Sequence, residues 1–287
     1  MINAVSRALY DEDEITMAEM RSWFEVPDTV MLVAQLAGGD IAGYADMTEQ
    51  AGKTRFWIDL RVPPGENDAA IGDALVGALE ARAEEDAAPG AVVRMFVFST
   101  DAPGLSLVQK RGYEVVRHSF QMRIDFDGEL ADPVWPEGVS VRTYVPGTDD
   151  EAVYEAQQES FEDGFEFVRQ SYDEWRKWSF REPFDPSLWL LAVDGAEIAG
   201  VCLCRPEGGG EGELGWVASL GVLRLWRRRG VARALLLHAF AELRARGKVG
   251  AGLGVDGLSP TGAVQLYERA GMRVARRSDH YEKPLDA

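Results

Sequence analysis

Apolar positions along this chain repeat with two periods. Val231, Ala232, Ala234, Leu235, Leu236, Ala239, Phe240 and Leu243 recur at helical spacing, with Arg233, His238 and Glu242 between them. This predicts an amphipathic helix beginning near Gly230. Apolar runs at 215–222 and 249–255 predict buried strands on either side of it, and 259–272 reads as a second helix followed by a strand. A strand, a loop, a helix and a further strand in that order make a parallel βαβ crossover.

The N-terminal part shows the same alternation. Residues 10–25 predict a helix, and strands at 30–36 and 41–47 join across Gly38-Gly39, a hairpin signal. Strand 56–62, helix 69–83, strand 92–98, short helix 105–110 and long strand 113–126 follow. The segment 128–138, with Pro133 and Pro136, reads as a linker, which divides the chain into 1–128, 129–138 and 139–287. The later part opens with strand 139–144, which has no counterpart at the start of the earlier part. Thr148-x-x-Glu151 and Ser171-x-x-Glu174 are capping-box patterns that mark helices near 149–162 and 172–180. A hairpin over 190–204 turns at Asp194-Gly195.

The two parts align on one another. Asp40-Ile-Ala-Gly43 recurs as Glu197-Ile-Ala-Gly200 at an offset of 157, Val62 matches Val222 at 160 and Gly112 matches Gly271 at 159. Near-equal offsets in independent elements argue for an internal duplication.

Charge changes the picture at one place. The formal net charge is −18, yet positions 224 to 233 hold five arginines. The first turn of a helix leaves backbone N–H groups without intrahelical acceptors, and its dipole adds partial positive charge. Arginines crowded there call for an anion, and Gly230 lets a phosphate approach the backbone. The competing reading is a solvated arginine run at an ordinary helix start.

Arg227-x-x-Gly230-x-Ala232 resembles the Q/R-x-x-G-x-G/A acyl-CoA pyrophosphate loop of the GNAT acyltransferase superfamily. Ser259-x-x-x-Ala263-x-x-Leu266-Tyr267-x-x-x-Gly271-Met272 resembles that family's N-x-x-x-A-x-x-L-Y-x-x-x-G-F, with Ser259 in place of Asn and Met272 in place of Phe. The resemblance implies an α/β protein of two tandem GNAT-like domains, each a mixed, mostly antiparallel sheet around a parallel βαβ unit. It implies acetyl-CoA as co-substrate, without a metal, held by Arg227, Arg228, Arg229, Gly230, Val231, Ala232, Arg233, Ser259 and Ala263. It sets the thioester oxygen against backbone N–H groups of the strand ending Leu220-Gly221-Val222, where glycine suits close approach or a bulge. Tyr267 stands where the family's general acid usually lies.

The resemblance also implies that the segment after the first helix of the second half overhangs the acceptor. Asp163, Phe165, Glu166 and Trp175 are candidates there, though Phe165 and Trp175 also suit a core. Glu213, Asp163 and Asp256 are candidate contributors to deprotonating the amine. The whole resembles the tandem GNAT group that includes mycothiol synthase, but where members of that group show Asp-His-Trp-Gly, this chain has Asp163-Gly-Phe-Glu166.

At equivalent positions of the first half, Arg227 becomes Asn67, Arg228 becomes Asp68, Gly230 becomes Ala70, Ala232 becomes Gly72, Arg233 becomes Asp73 and Tyr267 becomes Val108. Carboxylates repel a pyrophosphate, so the first half is expected to be a scaffold. Gly252-Leu-Gly-Val-Asp-Gly257 matches a dinucleotide fingerprint, but its glycines lie inside a strand rather than at a strand-to-helix turn.

The acidic balance argues against nucleic acid and suits an amine. No apolar stretch approaches membrane-spanning length, the first residues do not read as a signal peptide, and Cys202 and Cys204 read as free buried thiols. A cytoplasmic monomer or homodimer is expected, an N-acetyltransferase moving acetyl from acetyl-CoA to the primary amine of a small molecule. The alternatives are an acyl-CoA-binding regulatory or interaction protein without turnover, and a protein N-acetyltransferase.

Overall fold

The structure, a computed structural model, describes residues 1–11, 13, 15, 17, 20–21, 29–50, 52–65, 67–208, 212–259 and 261–285. The helix expected over 10–25 falls largely outside them. The chain forms two compact units, Met1–Phe120 with Arg276–Ala287, and Gln121–Ala275. It leaves the first unit within β5 (Glu114–Asp125) and returns within β11 (Arg273–Pro284). The segment expected as a linker, 128–138, falls within the second of these units.

In the first unit, α1 (Ile2–Tyr10) precedes β1 (Thr29–Gln35), β2 (Ile41–Gln50), β3 (Arg55–Arg61), α2 (Asp68–Asp86), β4 (Val92–Phe98) and α3 (Ala102–Lys110). The strands lie in the order β1-β2-β3-β4-β11, antiparallel except for the parallel pair β3-β4. Period-two alternation sends Ala45, Met47, Phe56 and Ile58 into a core against Leu75, Val76, Leu79 and Ala83 of α2. β11 is bound into this unit by Tyr281 in the core, by Arg94 to Glu282 at 2.6 Å and by Lys283 to the buried Glu80 at 2.9 Å. Glu80 also accepts from Arg111 and Tyr113.

The second unit holds β6 (Val139–Thr143), α4 (Asp150–Phe161), α5 (Tyr172–Ser179), β7 (Trp189–Asp194), β8 (Glu197–Arg205), β9 (Leu214–Val222), α6 (Val231–Ala245), β10 (Gly250–Asp256) and α7 (Ala263–Arg269). Its strands run β10-β9-β8-β7-β6, with β10 and β9 parallel and the others antiparallel. The Ser171–Glu174 capping box closes on both of its hydrogen bonds. The one expected at Thr148-x-x-Glu151 does not form. Asp149 takes the N-cap position, and its carboxylate accepts from Arg142 and from the Val145 amide instead. The helix expected over 259–272 is confined to α7, because the chain turns first, from Asp256 O to the Ser259 amide and from Ser259 O to the Gly262 amide.

The duplication extends to irregularities. In β2, Ala42 is an extra residue opposite β1, and in β8, Ala199 is an extra residue opposite β7, the same offset of 157. A Cβ added to Gly43 would meet Ile71, Leu75 and Val62, and one added to Gly200 would meet Leu235 and Val222. Both glycines therefore let the helix after the third strand sit directly on the sheet.

Candidate active site

The site is built where β9 and β10 part. They pair only from Gly250 opposite Leu214 to Gly252 opposite Trp216, although β9 continues to Val222 and β10 to Asp256. The Trp216 ring lies against Gly252, where any side chain would strike it. Beyond this point the β9 backbone has no β10 partner, which leaves a wedge opening toward the C-terminal ends of both strands.

A bulge adds to this. Leu203 pairs with Ser219 but Cys204 with Val217, so Ala218 is an extra residue in β9. An extra residue reverses which face the following side chains point to. Gly215 faces Leu243 of α6, whereas Gly221, an even number of positions later, faces Ser160 and Phe161 of α4. The expectation of a bulge is met at Ala218 and not at Gly221. The first half lacks it, since β2 and β3 pair without interruption from Tyr44–Arg61 to Gln50–Arg55.

Leaving β9, the chain makes a short 3-10 turn at Arg224–Trp226, takes a left-handed conformation at Arg228 (φ 61°) and again at Gly230 (φ 92°), and enters α6. Only glycine adopts the second angle without cost, and a Cβ there would meet nothing within 4 Å. Gly230 is thus required by backbone shape, with open space beside it. Among the described residues, the amides of Val231, Ala232 and Arg233 have no acceptor, and the helix has no side-chain cap.

The five arginines separate into two groups. Arg224 and Arg227 share the carboxylate of Asp163, at 2.6 and 2.5 Å, which holds that carboxyl below its usual range. Arg227 also donates to Val222 O and Ser160 O, so its side chain belongs to the frame of the site. Among the described residues, Arg228, Arg229 and Arg233 have no carboxylate partner, and they flank the free amides.

The equivalent end in the first unit is closed. The positions corresponding to the loop are helical there, since α2 begins at Asp68, three residues before the counterpart of Val231, and the Ile71 amide bonds to Asn67 O. Asp68 accepts from the Ala69 and Gly65 amides, and Asp73 pairs with Arg111 and Lys110. Carboxylates of the chain take the place an anion would fill.

Tyr267, on α7, is 8% exposed. Among the described residues its hydroxyl has no hydrogen-bond partner. Burial pushes its pKa up to about 12, with a further contribution from Cys202, which lies opposite Leu220 of β9. Its counterpart Val108 is fully buried. Cys202 and Cys204 are free, their sulfurs 3.7 Å apart.

The remaining candidates scatter. Trp175 is 1% exposed, packed among Tyr144, Tyr154, Phe180 and Trp189, and its indole N–H donates to Gln157 at 2.6 Å. Its ring is core and offers no face to a ligand. Phe165 is exposed, and Glu166 adopts φ 49°. Glu213 precedes the first residue of β9, at the opposite end of that strand from the arginine loop, about 30 Å away at roughly 3.3 Å per residue. Asp256 ends β10 and caps the Leu258 amide; Ser259 and Ala263 lie in the turn and the first helical residue beyond. Gln157 was not legible in the sequence. Its amide takes Trp175 on one side and donates to Ser219 Oγ, beside the bulge, at 3.0 Å.

Residues 151–272 match the acetyltransferase (GNAT) family. The chain is 33% identical to a mycothiol acetyltransferase of Salinispora arenicola over 87% of this chain and 79% of the relative. The chain belongs to the GNAT acetyltransferase family. A second mycothiol acetyltransferase, from Arthrobacter, is 30% identical over 81% of this chain and 71% of its own. A GNAT crystal structure from Sphaerobacter thermophilus superposes with a TM-score of 0.84 at 32% identity, covering 99% of this chain and 90% of that one. A tandem GNAT protein from the clavulanic acid pathway shares the fold at a TM-score of 0.77 and 17% identity, over 100% and 94% of the two chains. This GNAT chain is therefore an N-acetyltransferase with acetyl-CoA as donor. Among its described residues no helix is long and apolar enough to cross a membrane.

Proposed function

We propose that acetyl transfer takes place in the second unit, to the primary amine of a small molecule, by direct attack. The observation that carries this is the contrast between equivalent helix starts: free amides flanked by Arg228, Arg229 and Arg233 at α6, and chain carboxylates at α2. The first fits the pyrophosphate of acetyl-CoA and the second repels it. The first unit then serves as scaffold.

The amine nitrogen attacks the thioester carbonyl carbon while backbone N–H groups of β9 beyond the bulge receive the charge developing on oxygen. As the C–S bond breaks, Tyr267 donates a hydrogen bond to the sulfur. A thiolate whose thiol has a pKa near 8.5 is too weak a base to take the proton from a phenol near 12 outright. The proton released by the amine therefore passes through the hydroxyl to sulfur, and tyrosine does not stand as phenolate. We assign deprotonation of the incoming ammonium to Asp256, at the end of β10.

Calorimetric titration of acetyl-CoA into the full chain, cleared of co-bound CoA, followed by a turnover screen of primary amines, tests this reading. One site per chain, lost in Gly230→Asp, together with turnover of an amine, is the expected result. Two sites would place a working pyrophosphate site in the first unit. Binding without acylation of any amine would make the chain a CoA-binding regulatory protein, and acylation of polypeptide N-termini alone would make it a protein acetyltransferase.

A further inference from the structure

The loop leaving α4 is fastened to the loop entering α6. Asp163, two residues beyond α4, accepts from Arg224 through Oδ1 and from Arg227 through Oδ2, and Arg224 also stands 3.9 Å from Glu162. The two arginines are not equivalent. Arg227 is fixed independently of Asp163 by Val222 O at 3.0 Å and Ser160 O at 3.1 Å, so it is a rigid post at the end of β9. Arg224 is 58% exposed and is directed by the acidic pair. Past Asp163 the chain turns tightly, with the Gly164 amide on Phe161 O at 2.8 Å and the Phe167 amide on Gly164 O at 3.3 Å. Phe165 and Glu166 are exposed in this turn, which follows directly on Phe161, packed against Gly221, and on Asp163, fastened to the arginines at the C-terminal end of β9.

We propose that Asp163 is a positioning residue for the amine acceptor: its carboxylate tethers the 162–170 loop to Arg224 and Arg227, and so sets Phe165 and Glu166 at the wedge. This rests on acetyl transfer in the second unit. Asp163 acts through Arg224 and Arg227, the partners of its carboxylate. Its removal leaves Arg224 and Arg227 to repel each other and withdraws the attachment of the loop to the post at Val222. It also removes a negative charge beside an anion site. The two substrates therefore respond with opposite sign, since the amine loses its wall while acetyl-CoA meets a more positive loop. A general loss of fold would weaken both.

The test uses the full chain and three readouts on Asp163→Asn and Asp163→Glu. In hydrogen exchange, the Gly164 and Phe167 amides of Asp163→Asn exchange about tenfold faster than wild type, and Asp163→Glu restores most of the protection. In calorimetry with acetyl-CoA, Asp163→Asn binds as tightly as wild type or more tightly. In turnover of the primary amine taken from the screen above, Asp163→Asn raises KM by about three- to tenfold with kcat little changed, and 0.5 M salt moves wild type toward the variant. Unchanged exchange at 164 and 167, weakened acetyl-CoA binding alongside faster exchange, or a fall in kcat with KM unmoved would each overturn the proposal. If wild type binds no acetyl-CoA, it is acetyl transfer in the second unit that has failed, and the exchange comparison still decides the tether.

Discussion

Ser160, on α4, occupies the space that a Cβ on Gly221, in β9, would require. The contact exists because the bulge at Ala218 turns residue 221 toward α4, so the glycine serves helix-to-strand packing at the C-terminal end of β9. Gly221→Ala overpacks this junction and should cost about 1–3 kcal/mol by chemical denaturation. Ser160→Gly in the same chain should recover part of that loss, a non-additivity that two unrelated sites would not show.

At Gly230 the expected effects separate shape from charge. Gly230→Ala places a side chain in the left-handed region with open space around it, costing about 1–2 kcal/mol of stability while keeping some acetyl-CoA affinity. Gly230→Asp adds a carboxylate beside the free amides of α6 and should eliminate measurable binding in a chain whose circular dichroism stays folded.

Tyr267→Phe should lower kcat by about a hundredfold or more, with acetyl-CoA affinity little changed by calorimetry. Because burial raises the phenol to about 12, it is protonated throughout the neutral range. The alkaline limb of the kcat profile should therefore show no loss from this residue below about pH 10, where an unperturbed tyrosine would begin to titrate. A wild-type rate in the variant would remove Tyr267 from the reaction.

Trp175→Ala should cost about 3–5 kcal/mol by denaturation, since it empties a space enclosed by aromatic rings and strips Gln157 of a donor. A loss below about 1 kcal/mol would return the ring to the surface.

In the first unit, Asp46 lies opposite Asp59 and hydrogen-bonds Tyr44, and burial followed by repulsion from Asp59 raises its pKa to about 6. A raised carboxyl pKa means that the folded state holds the proton more tightly than the unfolded state. The associated stability is therefore present below about pH 4 and lost as pH rises through about 6. Asp46→Asn should flatten that decline in a pH series of melting temperatures, and an unchanged slope would show that Asp46 is not its source.

The elements were legible because their signals are local. The strand at 92–98 agrees at both ends with β4, the turns fall at Gly39 and Gly195 where φ is positive, and Gly230 ends the arginine loop as its motif suggests. The duplication, too, was legible in the sequence through offsets of 157 to 160, and in the structure Gly43 and Gly200 keep corresponding neighbours. The arginine cluster was visible, but its division into a frame pair and a free trio was not, because Asp163 reaches Arg224 and Arg227 across more than sixty residues of chain.

What the sequence determined by itself is periodicity, turn chemistry, the family and the order of the βαβ unit, all of which depend on residues within a few positions of one another. Tertiary structure alone decided that β9 carries its extra residue at Ala218, that Trp175 is enclosed and that β5 and β11 each cross between units. It also decided that Glu213 lies at the opposite end of β9 from the arginine loop. The reason is that strand register and burial are settled by partners distant in the chain, and the free energy that selects them belongs to the pairing and not to either segment.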